Sequence, residues 1–296
     1  MIAFLILAHT DPVHLRRLVH ALQPHDVFVH VDAKTNMDSS WDGIDATFVE
    51  NRVPVYWAGF SMVEATKLLL RASLDKGIEY ERLVLISGSC YPIKPMAELS
   101  ALFAQDPELN YIRYVSMENA GHLPTLIDRR YFRDGILPAN LTARYEPLRR
   151  LERFTRKVIE TAARPLRHPR LRHFTPFHGS AYWAITRECA SWVMDVVDSP
   201  FGKELDGYYR RVFASDEQYF HSIVGNSPFA SNATGIMPYE GRGTYRAANL
   251  HLIDPTLAKW FEISDLERIS ESKKYFVRKV RTGDSTTLLD TIDESF

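Results

Sequence analysis

The sequence predicts an α/β fold built on a doubly wound, mostly parallel sheet. Two observations predict it: apolar runs of strand length alternate with stretches of helical periodicity, and short polar clusters stand where the runs end. Residues 2–8 are one continuous apolar run, read as a strand buried on both faces. Asp11 and Pro12 then supply an N-cap and a first-turn proline, and Leu15, Leu18, Val19 and Leu22 follow at helical spacing. Residues 26–32 read as a second buried strand ending in the cluster Asp32-Ala-Lys34. A βαβ unit places that cluster, and His9 with it, at the carboxyl ends of parallel strands, where open α/β sheets bind ligands. A short strand near 46–50, a helix over 61–74 and a strand over 82–87 continue the rhythm, followed by a helix over 96–103 and a strand over 111–115. The alternation is then lost until Gly179, and resumes with a strand over 180–186 and helices over 188–197 and 216–224.

The interval holds most of the charge asymmetry. From Arg144 to His173, ten Arg and Lys face three Glu, an excess of +7 in a chain of net charge −1, so the remainder carries about −8. A helix over 148–162 is expected there, with Leu148, Leu151, Phe154, Val158 and Ala162 along one side and Pro165 and Pro169 marking its exit. The segment is either a solvated helix face or a contact for an anionic membrane surface.

Bulk properties exclude several classes. With 296 residues, 45% hydrophobic, and no linker, repeat or low-complexity run, the chain is expected to form one domain over 1–296. The near-neutral charge argues against a general nucleic-acid binder. The opening apolar run is too short for a signal segment and no stretch approaches a membrane span, so a cytoplasmic protein, peripheral at most at the inner face of a membrane, is expected. Two cysteines, Cys90 and Cys189, make no disulfide framework, and eleven histidines without an HExxH pattern make no zinc site.

Six stretches carry a resemblance when taken in order: FLILAH, HVDAK, VYWAGFSMVEA, LVLISGSCYPIKP, FHGSAYWAITRE and SDEQYFHSI. Together they resemble the core-2/I-branching N-acetylglucosaminyltransferase family, to which peptide O-xylosyltransferases also belong, over roughly residues 2–290. The resemblance implies a GT-A fold: a Rossmann-like nucleotide-binding half over about 1–115, the basic helical insertion over 144–173, and an acceptor and catalytic half over about 175–290. It implies a UDP-sugar donor, a glycan or glycolipid acceptor, inversion at the anomeric carbon, and no metal or other cofactor. The chain contains no Asp-x-Asp motif, in keeping with a family that dispenses with the metal.

Without a cation, fixed positive groups must stabilise the departing UDP. The family's Phe-x-x-Lys-Phe-like stretch resembles Phe276-Val-Arg-Lys279-Val, which makes Lys279 the first candidate, with Arg278 beside it. The family's upstream Arg has no direct counterpart, since the chain reads His251-Leu-Ile-Asp254 there; either Arg246 or a protonated His251 substitutes, or the site functions with Lys279 and Arg278 alone. Asp216-Glu217 matches the family's Asp-Glu pair, so Glu217 is the expected general base and Asp216 a structural neighbour; the plain reading is two acids at a helix start capped by Ser215. Asp32 resembles the family's uracil-contacting Asp, and a carboxylate there can accept the N3–H of uracil, a strand-end Asp capping a turn being the alternative. Trp57 aligns with an aromatic residue of the nucleotide pocket, core packing being the alternative. Cys90, where relatives carry Asp, and Tyr91 belong to a loop that approaches the sugar, unless Cys90 is merely a buried thiol. Gly179 and Ser180 match the family's Gly-Ser-Ala-Tyr stretch and are expected beside the site. Two further readings stay open: a silent sugar-nucleotide or glycan-binding protein, and a peripheral membrane enzyme acting on a lipid-linked or polyanionic glycan.

Overall fold

Residues of the first strand alternate between two cores. The computed structural model describes residues 1–118 and 120–295. Its strands are β1 (Ile2–Ala8), β2 (Asp26–Val31), β3 (Thr47–Phe48), β4 (Arg82–Ser87), β5 (Cys90–Pro92), β6 (Asn110–Ser116), β7 (Phe177–Gly179), β8 (Ala184–Ile185), β9 (Ala233–Ile236), β10 (His251–Ile253) and β11 (Phe276–Arg278). The helices are α1 (Pro12–Ala21), α2 (Ser61–Asp75), α3 (Met96–Gln105), α4 (Pro124–Asp128), α5 (Ala139–Arg144), α6 (Glu146–Ala162), α7 (Arg187–Asp198), α8 (Pro200–Tyr209), α9 (Tyr219–Gly225), α10 (Leu266–Ser270) and α11 (Thr286–Asp293). Because strand side chains alternate faces, Ile2, Phe4 and Ile6 join Val27, Val29 and the α1 residues Leu15 and Leu18 on one side. Ala3 and Leu5 join Phe28, Leu83, Leu85 and the α2 residues Val63, Leu69 and Leu70 on the other.

The main sheet runs β3-β2-β1-β4-β8-β6-β7, with β9 on β6. Its first four strands are parallel, as expected for a doubly wound core, whereas β8 lies antiparallel to both β4 and β6, and β7 antiparallel to β6. The α/β architecture is therefore the one the sequence predicts, with a second feature the sequence did not show: a separate sheet of order β10-β11-β5. Its strands are three residues long, too short for any periodic signal.

Two expected elements differ in detail. The strand expected over 180–186 shrinks to β8 (Ala184–Ile185): β7 ends before it at Gly179, and between the two the Ser180 hydroxyl accepts the Tyr182 N–H (3.3 Å), a local turn that competes with the ladder. The helix expected over 216–224 begins later. Ser215–Glu217 form a 3₁₀ turn, α9 follows, and the Ser215 hydroxyl has no partner among the described residues, so it caps nothing. Among the described residues no helix is long and apolar enough to cross a membrane.

Candidate active-site cleft

Three parallel strands end level with one another. Ala8 pairs with Val31 and Leu7 with Ser87, so His9, Asp32 and the Ser87-Gly88 turn share the carboxyl edge of the sheet. The Asp32 N–H donates to the Ala8 carbonyl (2.8 Å) and the Gly88 N–H to that of Leu7 (2.9 Å), which locks the three ends together. The turn after β4 leads directly into β5 of the small sheet, where Cys90 is registered opposite Arg278. That pairing carries β11 to the same edge. The Arg278 guanidinium donates to the Ser87 hydroxyl and lies 5.0 Å from the Tyr182 ring. Lys279 follows, its Nζ 5.1 Å from the Trp260 ring, and burial together with Arg278 and Arg281 holds its pKa below the ordinary lysine value.

These cations line a cleft of about 450 Å³, which also takes in Trp57, Ser180, Asp216, Glu217 and Arg246. Glu217 Oε2 lies 3.3 Å from His178 Nε2, the last-but-one residue of β7. Gly179 stands behind this pair. A Cβ there would sit 2.3 Å from the Arg113 carbonyl and 2.5 Å from the His221 ring, so only glycine lets β7 lie between β6 and α9. The acid pair enters its turn from Ala214 at φ 54°, whose N–H donates to the carbonyl of Ala58 (3.1 Å), itself at φ 59°. Two left-handed alanines touching beside one cleft are backbone strain of the kind that clusters at functional sites.

The two acids have different environments. Asp216 Oδ1 is buried with no partner among the described residues, and burial first, then the neighbouring Glu217 charge, push the Asp216 pKa up to about 8. Unfolded, the same carboxyl ionises near 3.8. The folded state therefore holds a proton that the unfolded state has released, and stability is lost as pH rises from about 4 towards about 8. Asp216→Asn is expected to flatten that decline, which is on the order of 1 kcal/mol per pH unit. Thermal unfolding of both proteins across this window checks it, and a stability difference that does not change with pH rejects it.

The remaining expected site residues fall into three groups. His9 stands at the carboxyl edge of the sheet but does not line the cleft; burial and the cations Arg278, Lys34 and Lys279 lower its pKa against the pull of Asp32. Asp32 is engaged within the protein: its carboxylate accepts the backbone N–H groups of Lys34 (2.9 Å) and Val55 (3.2 Å) and pairs with Lys34 Nζ (2.7 Å). Trp57 is 76% exposed at the rim, edge-on to Phe213 at 5.6 Å, which removes the core-packing reading.

Three expectations need correction. His251 is buried between the Tyr182 (4.8 Å) and Phe276 (5.1 Å) rings, and burial, then Arg278 and Lys274, lower its pKa to about 3; it is neutral, and Arg246 is the cation of the two that reaches the cleft. Cys90 is fully buried and does not line the cleft. Its sulfur accepts the Ser87 N–H (3.4 Å) and meets the Ser87 hydroxyl (3.3 Å), which makes it a strut for the turn under Arg278. Tyr91 points the other way, donating to Asp293 (2.7 Å). Sequence reasoning passed over His178, although it stands in the FHGSAYW stretch, as well as the cleft residues His122, Tyr239 and Lys259. His122 Nδ1 and the Tyr239 hydroxyl are 2.7 Å apart, a pairing of residues 117 positions apart that no local pattern announces. Among the described residues no group of three or more His, Cys, Asp or Glu is placed to hold a metal ion.

Comparison with known proteins adds to this geometry. The chain is 20% identical to xylosyltransferase 2 of Canis lupus familiaris over 99% of its own length, and spans about a third (33%) of that protein. Among solved structures it overlaps mouse xyloside xylosyltransferase 1 at 10% identity and a TM-score of 0.33, covering 80% of this chain and 85% of that one. A Bacillus anthracis protein assigned as a glucose-1-phosphate thymidylyltransferase and crystallised with sucrose overlaps at 10% identity and a TM-score of 0.32, over 69% and 78% of the two chains. Both overlaps are too loose to carry geometry onto this chain. The family model of the core-2/I-branching enzymes matches residues 2–236, four-fifths of the sequence, and the chain belongs to that family.

Proposed function

We propose that this chain is an inverting, metal-independent glycosyltransferase that moves N-acetylglucosamine or xylose from a UDP-sugar to a hydroxyl of a glycan or glycolipid. One observation carries the reading: a single cleft holds the carboxylate of Glu217, 3.3 Å from His178 Nε2, together with the cations Arg278 and Lys279. Burial, then the neighbouring Glu217 charge, raise the Asp216 pKa, which disfavours Asp216 as the base for the acceptor's proton. In the reaction the acceptor oxygen attacks the anomeric carbon from the face opposite UDP. Its proton passes to Glu217, the bond to the β-phosphate oxygen breaks, and the electron pair leaves on the diphosphate beside Lys279 and Arg278. A second carboxylate nucleophile has no part in a single displacement.

In this reading residues 1–115 hold the nucleotide, residues 175–290 supply the base and the acceptor side, and Trp57 at the rim offers an aromatic face to a sugar or base. Membership of a family whose relatives include xylosyltransferases supports the donor class, while the sugar itself is set by pocket shape. UDP release from UDP-N-acetylglucosamine and UDP-xylose, with and without glycan acceptors and with EDTA, tests the reading. Acceptor-dependent release that EDTA leaves intact is expected. Release abolished by EDTA removes metal independence, and none from either donor removes the proposed donors.

A further inference from the structure

Helix α6 is turned inside out. Its inner side carries acids that serve the backbone: Glu152 is buried and accepts the N–H groups of Ile136 (2.7 Å) and Leu137 (3.1 Å), while Glu160 accepts that of Phe132 (3.1 Å) and lies 3.2 Å from Arg133 Nε. On the same side Arg156 donates to the Arg133 carbonyl (3.1 Å). The helix is thus held to residues 132–137 by polar contacts, and its apolar stripe is left outside. Leu151, Phe154 and Val158 are 54%, 66% and 50% exposed at i, i+3, i+7 spacing. Arg150, Arg153 and Lys157 repeat that spacing one residue earlier, so a basic row runs alongside the apolar one. Glu146 is the single acid of this side, and it is shared among Arg149, Arg150 and Arg153.

We propose that this outward face of α6 docks on an anionic lipid bilayer, with Leu151, Phe154 and Val158 entering the headgroup boundary and Arg150, Arg153 and Lys157 meeting the lipid phosphates. Three apolar side chains flanked by bases match an interfacial helix lying in the membrane plane, whose binding sums apolar burial and electrostatic attraction. A second copy of the chain is a poor occupant, because two such faces would oppose like charges. The docked helix would also set the cleft near the lipid surface. Residues 132–137 connect α6 to the Trp57 rim: Asp134 accepts the Ser61 N–H (3.0 Å) and the Arg133 guanidinium lies 4.8 Å from the Phe213 ring that Trp57 touches.

Sedimentation of the full chain with phosphatidylglycerol/phosphatidylcholine vesicles, against phosphatidylcholine alone and at low and high salt, tests the proposal. Binding to the anionic vesicles that weakens with salt is expected. Neutralising the basic row (Arg150→Gln, Arg153→Gln, Lys157→Gln) is expected to lower partitioning on the order of 100-fold, and Leu151→Ser, Phe154→Ser, Val158→Ser on the order of 10-fold or more. Because all six side chains point outward, unfolding temperatures should stay at the wild-type value, which confirms that the variants are folded. Binding unchanged in the serine variant means the bases alone recognise a polyanion and overturns the proposal. So does absence of vesicle binding, or self-association in solution that the serine variant abolishes.

Discussion

Glu217→Gln is expected to lower kcat on the order of 10²- to 10⁴-fold while donor KM and UDP affinity stay close to wild type. The amide keeps the shape of the carboxylate and can still face His178 Nε2, now 3.3 Å from Oε2, so the substitution removes proton acceptance and little else. A hydroxyl attacking the anomeric carbon is a weak nucleophile until its proton is taken as the bond forms, and that contribution disappears with the base. Asp216 is the one other acid at this turn, and it cannot substitute, because burial keeps it protonated near neutral pH. The comparison between the two is therefore diagnostic. Glu217→Gln should abolish most turnover and leave thermal unfolding unchanged, whereas Asp216→Asn should alter the pH dependence of stability and retain the greater share of turnover. Steady-state UDP release and calorimetric UDP binding measure both. Turnover retained by Glu217→Gln and lost in Asp216→Asn would reassign the base.

The parallel half of the fold was legible because its strands are long and buried on both faces. Residues 2–8 and 82–87 are read correctly as strands to the residue, since a continuous apolar run bounded by polar clusters has few other meanings at that length. The strand ends also placed His9 and Asp32 at the carboxyl edge of the sheet by topology alone. The residues that line the cleft came from motif rather than from pattern. Lys279 and Arg278 stand after a three-residue strand, and Glu217 in a 3₁₀ turn, neither of which has a periodic signature. Failures came where environment overrides residue type. A cationic histidine at position 251 was one of the alternatives the sequence left open, but burial between two aromatic rings and two neighbouring cations make the charged form costly there. The α6 periodicity was read correctly, yet periodicity gives the existence of an apolar stripe and not its direction. Buried Glu152 and half-buried Glu160, bonded to backbone N–H groups of residues 132–137, decide that.

Lys279→Ala is expected to reduce kcat on the order of 10²- to 10³-fold, the effect of removing one fixed donor from the place where charge develops. Arg278 alone does not compensate. Its guanidinium is held by the Ser87 hydroxyl and the Tyr182 ring, with the Cys90 strand registered opposite, so it keeps its own place in the cleft and cannot move into the one that Lys279 leaves. Lys279 is held from below by Trp260 and has an ammonium with three donors of its own. Burial and the two neighbouring arginines lower its pKa, so charge is lost earlier than from a free lysine as pH rises, and the alkaline limb of the wild-type rate should fall correspondingly early. Lys279→Arg, which never loses its charge in that range, should retain part of the rate and lack this limb. If Lys279→Ala raises KM for the UDP-sugar but leaves kcat intact, the lysine only binds the ground state and does not assist departure.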